Sequence, residues 1–149
     1  MSPQGTQYRS PVMALVLGWV IPGAGHAYAG RWGKAVLFAV LIIGLLVAGF
    51  ALGGGTNIQP NEWWFGAQLG AGGPLLALTP ISQYLMVHGE PDYADPVREM
   101  GTLYTAIAGL LNLLVMMDAY VKLAYPSIEG PGKGRDASRA IPERAREGA

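Results

Sequence analysis

Asp118 is the single carboxylate inside an apolar run of the chain, in the stretch NLLVMMDAY. A charged aspartate near a bilayer centre costs about 2.5–3.5 kcal/mol on insertion scales, so one retained there tends to relay protons or ions or to meet a partner. Asp118 lies roughly seven helical residues, about 10 Å, from the end of its run. Lys122 follows it at the i,i+4 spacing of a helical ion pair. Pairing within the helix is the first expectation for Asp118, with ion relay or partner contact as the functional alternatives. Asn112 is a second polar residue set inside the same run.

Other chemistry is thinner. His88, Glu90, Asp92 and Asp95 bring ligands of the kind hard cations favour, but in no recognised spacing and in a proline-bearing loop. A solvated loop is expected there, not a metal site. His26 and His88 are the only histidines, too few for a multi-histidine transition-metal centre. Cysteine is absent, which excludes disulfides, thiolate ligands and cysteine nucleophiles. No Walker loop, dinucleotide fingerprint, Gly-x-Ser-x-Gly elbow or zincin motif occurs. GAGGP, residues 70–74, lacks the lysine of a phosphate cradle and reads as a kink or close-packing point. No cofactor is implied, and the protein is expected to be non-enzymatic.

Composition sets the elements that must position these residues. Of the 149 residues, 13% are charged and 51% hydrophobic, with 22 glycines, as in membrane helices that pack closely. The net charge is zero, which argues against a nucleic-acid partner. Uncharged or nearly uncharged runs predict spans at about 12–29, 35–52, 63–87 and 101–125. They lie between a polar segment, 1–11, and a charged tail, 126–149, expected to be flexible. Backbone groups in lipid must be satisfied internally, so spans without strand-type alternation are helices. The expected fold is an all-α membrane protein: a bundle of about four transmembrane helices, the first kinked at Pro22 and the third broken by glycine and proline.

Small residues one turn apart, Ala14/Gly18, Gly44/Ala48 and Gly66/Gly70, offer sites for helix association. On the fourth run Thr105, Gly109, Asn112, Met116 and Ala119 share one stripe, expected to pack inside the bundle. Four spans place Arg9, the 53–62 turn and the cationic tail on one side, with Arg31, Lys34 and Arg98 opposite. The positive-inside rule then puts both termini in the cytoplasm, and residues 57 and 140 with them, while 32 and 93 face away. Direct pairing of Asp118 with Arg31 or Lys34 is not expected in that arrangement.

IPGAGHAYAGRWGKA, residues 21–35, admits three interpretations. Ala27-Tyr28-Ala29 after an apolar core satisfies the rule for signal-peptide cleavage. Structurally, glycines would loosen and turn the chain while Arg31, Trp32 and Lys34 mark an interface. The stretch also resembles the turn of the small two-transmembrane-helix domain family and its bacterial relatives. Pro22, Gly23, Gly25, His26, Tyr28, Gly30 and Arg31 carry that resemblance, and Asp118 is similar to the aspartate that closes the family's second helix. The resemblance covers residues 12–52 well and 110–121 loosely. It implies a helical hairpin and, for most members, no established activity.

The function expected from these features is that of a multi-pass integral protein of the cell membrane. Its partners are the lipid bilayer and either further copies of itself or a larger membrane assembly, and its role is structural or accessory. The alternative is a small transporter or channel-like protein using Asp118 and the broken third helix.

Overall fold

Two long helices form the frame. In the computed structural model, which describes residues 9–125, α3 (Trp32–Leu52) and α6 (Pro96–Ala124) pack along each other in opposite directions. Among the described residues these are the two helices long and apolar enough to cross a membrane. α6 starts cleanly because the Asp95 carboxylate accepts from the Val97 N–H at 2.9 Å and Pro96 presets the first turn. α3 stops at a glycine run in which Gly54 and Gly55 take φ of 60° and 73°. The two backbones come close at Gly49, where an added Cβ would stand 2.7 Å from Tyr104 Cβ and 2.9 Å from the Gly101 carbonyl.

The remaining helices are short: α1 (Pro11–Val20), α2 (Ala24–Tyr28), α4 (Phe65–Gln68) and α5 (Gly73–His88), with a 3₁₀ turn over Leu69–Ala71. The described residues are all helix, turn and loop, without a strand. The segment expected at 1–11 is described only from residue 9, and the tail expected at 126–149 lies outside the described residues.

Against α6, the first apolar run goes halfway and returns. Arg9 donates to the Tyr28 carbonyl at its start. Gly18, near the far end of α1, reaches only the level of Asn112 and Met116. The chain then reverses through Ile21–Gly23, and α2 carries His26 back to Asp118. Pro22 therefore marks a reversal and not the expected kink. A ten-residue helix reaches about 15 Å, and Gly23, at φ 84°, supplies the left-handed backbone that sends the chain back.

The third apolar run does the same from the other end. Gln68 lies against Thr105, Gly70 against Gly109, and Gly72 against the Trp19 carbonyl. α5 then returns until the Ser82 hydroxyl meets Ile58 and Leu85 approaches Gly55. The break falls at Gly72, which holds φ 70° and ψ −135°, while Pro80 sits within α5 without interrupting it. In place of four through-running helices the described residues form two, plus two half-length hairpins whose tips meet at Trp19–Val20 and Gly72–Gly73.

This arrangement corrects the expected sides. Arg9, Arg31, Lys34, Asp118 and Lys122 share one end of the molecule, the His26 end. The 53–62 turn joins Arg98 and the acidic 89–95 loop at the other. Residue 140 lies outside the described residues.

Polarity is arranged inside out. His26, Asn57, Gln68, Ser82, Thr105 and Asn112 are buried, beside an apolar cluster of Ile42, Leu46, Ile58, Ala71, Leu75 and Ala108. Meanwhile Val36, Val40, Leu41 and Val47 of α3 and Ile107, Leu110, Leu114 and Met117 of α6 are exposed. Only 22% of the most apolar window of α3 is covered by protein, where the core helix of a globule would be mostly enclosed.

Candidate functional site: a polar seam along α6

Thr105, Gly109, Asn112, Met116 and Ala119 all turn inward, as their shared stripe requires. The hairpins pack on this stripe, and buried polar side chains meet it at three levels.

At the lowest level Gln68 Nε2 donates to Thr105 Oγ1 at 2.7 Å and to the Asn57 carbonyl at 3.1 Å. Asn57 Nδ2 in turn donates to the Gly49 carbonyl at 3.1 Å. One amide thus ties the loop after α3 to α6 and to the second hairpin. Buried amides need such partners, since an unpaired one costs on the order of 1–3 kcal/mol.

Midway, Asn112 Nδ2 donates to the Gly18 carbonyl at 3.2 Å and to the Gly70 carbonyl at 2.9 Å. The same amide therefore holds both hairpin tips. Trp19 Nε1 adds a direct bond from one tip to the other, to the Leu69 carbonyl at 3.2 Å. Glycine is required here because a methyl group at Gly109 would strike the Ala67 carbonyl and one at Gly72 the Trp19 carbonyl. Asn112 Oδ1 is buried without a partner among the described residues.

At the third level His26 Nε2 donates to Asp118 Oδ2 at 2.9 Å, and Lys122 Nζ donates to the same oxygen at 2.6 Å. The His26 ring is 1% exposed and meets Phe38 edge-on at 5.0 Å, while the Asp118 side chain is 44% exposed. His26 is thus locked and the carboxylate opens outward. The expected Asp118–Lys122 pair is present, and the turn histidine joins it.

The rest of the family-like turn builds this end. Pro22, Gly23 and Gly25 are buried, and a Cβ at Gly25 would press on the Ala14 carbonyl and lie 3.3 Å from Ala119 Cβ. Tyr28 receives Arg9 on its carbonyl, and the guanidinium also lies 5.9 Å from its ring centroid. Gly30 turns the chain at φ 82°, and Arg31 precedes the first turn of α3. Cleavage after Ala29 would remove the buried Ala14, Gly18, Gly25 and His26 from the fold.

At the Arg98 end a cavity of about 320 Å³ opens between the 57–68 segment and the first turns of α6. Arg98 is held in its wall by bonds to the Thr56 carbonyl at 3.0 Å and hydroxyl at 3.3 Å, and by Tyr93, whose ring centroid lies 4.6 Å away. Gln68, Asn57 and Trp19 were not singled out in the sequence. The available signal was Gln68, a lone amide between Trp64 and Gly70 in an otherwise apolar stretch.

The 88–95 loop holds no metal-type grouping, and among the described residues no three histidine or acidic side chains converge. Its groups have local tasks: Asp92 accepts from Ala94 N–H, Asp95 caps α6, and His88 stacks on Tyr84 at 4.2 Å.

A protein-family model, described as a family of unknown function, matches residues 13–129 and so takes in both hairpins and both long helices. No curated protein and no solved structure matches the chain.

Proposed function

The chain belongs to DUF6677, that family of unknown function, and we propose that it is a multi-pass integral protein of the cell membrane that passes an ion or small polar solute along the seam between its hairpins. The apolar exterior and polar interior support the bilayer as its solvent. Non-helical backbone at membrane depth is tolerated where protein buries it, as at both hairpin tips. Among the described residues the His26 end carries Arg9, Arg31, Lys34 and Lys122 against Arg98 at the other, which favours a cytoplasmic His26 end and cytoplasmic termini.

The observation that carries the solute-passing proposal is Asn112, whose amide bonds both hairpin tips halfway along α6. Polar side chains are expensive inside a membrane and tend to mark a pathway, and broken helices that meet at mid-depth form solute sites in many transporters. The function is non-enzymatic. The likeness of the turn to the two-transmembrane-helix domain family fits, since turn and aspartate form one cluster here. Flux into liposomes tests the proposal: the full-length protein should conduct protons or a small solute above empty vesicles, and Asp118→Asn or Asn112→Leu should lower that flux. Flux equal to that of empty vesicles in every condition removes the transport role.

A second, accessory role through helix association is favoured by one feature. Gly44 and Ala48 face outward on α3, and a Cβ at Gly44 would meet nothing within 4 Å. Ala14, Gly18 and Gly70, by contrast, are used inside the fold. Loss of self-crosslinking in membranes on Gly44→Leu would support this role.

A further inference from the structure

We infer that the cavity at the Arg98 end binds a small zwitterion carrying one ammonium and one carboxylate group. Its volume of about 320 Å³ falls within the range of small-molecule sites.

The charges on its wall are complementary but do not close on one another. Arg98 lines the cavity with Glu62 and Glu99, and among the described residues none of the three forms an ion pair. Arg98 is not free to swing across. Thr56 takes its Nε and Nη2 donors, and Tyr93 lies against the guanidinium. A guanidinium has five N–H donors, so the Nη1 side stays available for a carboxylate. Glu62 and Glu99 stand exposed at the rim, where an ammonium group reaches them from solvent. Trp64 adds an aromatic wall suited to the same cation.

Single-charge ligands fit less well. An anion alone would satisfy Arg98 but face two carboxylates, and a cation alone would satisfy the rim and leave Arg98 unanswered. Behind these groups the wall is built: Asn57 and Gln68 line the cavity at 3% and 1% exposed, Asn57 bonded to the Gly49 carbonyl and Gln68 to the Asn57 carbonyl. Gln68 also bonds Thr105, so the ligand would rest on the first level of the seam. The inference deepens the transport proposal by naming a solute class, and it rests on that proposal for the onward passage of the bound solute.

Calorimetry on the full-length protein in detergent tests binding apart from flux. The probes are the ω-amino acids from glycine to ε-aminohexanoate, with the best of them compared against its amine-only and acid-only analogues, such as butylammonium and butyrate for γ-aminobutyrate. One zwitterion should bind saturably, about tenfold or more tighter than either analogue. Arg98→Met should erase the preference over the amine, and Glu62→Gln with Glu99→Gln the preference over the acid. Absence of saturable binding across the series overturns the inference, as does an analogue that binds as tightly as the zwitterion. The wild-type comparison stands by itself if a variant misfolds. Binding without flux would refute transport and leave this site intact.

Discussion

His26 Nε2 lies 2.9 Å from Asp118 Oδ2, across 92 positions of sequence. That bond fixes the architecture, because it places the turn after the first apolar run at the same end as the last turns of α6. A through-running first helix would put them at opposite ends. The hydrogen bond therefore requires the first run to double back, and Gly23 and Gly25 permit it by admitting the Ala35 and Ala14 backbones where a side chain would stand.

The two ends can be told apart by labelling. The chain has no cysteine, so single cysteines report without background. Introduced at the exposed Trp32 and Tyr125, they should react with an impermeant thiol reagent from one face of the membrane, and at Trp63 and Tyr93 from the other. Residue 32 labelled from the same face as 93 would overturn the half-length hairpins.

The two partners of the long-range bond should differ in weight. Asp118→Asn keeps an oxygen for His26 and removes a charge that is 44% exposed, so its cost is about 0.5–1 kcal/mol after solvent screening. His26→Ala removes a buried ring packed on Phe38 together with its hydrogen bond, at about 2–4 kcal/mol. Unfolding in detergent should rank the histidine variant as the less stable.

Much of this was legible in the sequence because it depends on local period and chemistry. The inward stripe of α6 follows from spacing, the Asp118–Lys122 pair from one helical turn, and the break in the third run from GAGGP. The returning hairpins were not legible. Hydropathy reports that residues 12–29 and 63–87 are apolar, and a segment that crosses has the same composition as one that enters and returns. The difference lies in close packing at glycines: Gly18, Gly25 and Gly70 against α6, and Gly72 against the end of α1. Such contacts join residues far apart, and no local pattern announces them. Gln68 escaped for a related reason, since its partners Asn57 and Thr105 come from other elements.

Glycine substitutions should separate tightly packed positions from open ones. Gly72→Ala forces a side chain into φ 70°, ψ −135° and against the Trp19 carbonyl, at about 2–5 kcal/mol of strain and overpacking. Gly44→Ala meets open space on the outside of α3 and should be neutral or stabilising by up to about 1 kcal/mol. Equal behaviour of the two variants in thermal unfolding would mean that the hairpin tips do not touch.

Asn112 offers the strictest test of the junction, because its two bonds need a donor and not merely a polar group. Asn112→Ala removes both bonds and leaves the Gly18 and Gly70 carbonyls unanswered, costing about 1–3 kcal/mol. Asn112→Asp keeps the size but presents oxygens to two carbonyl oxygens, and even the protonated acid supplies a single donor. It should therefore be less stable than the alanine variant whenever the acid is ionised, and recover toward it as pH falls and the carboxyl takes up a proton. An order in which aspartate equals the wild-type residue at neutral pH would show that Asn112 does not hold the two tips together.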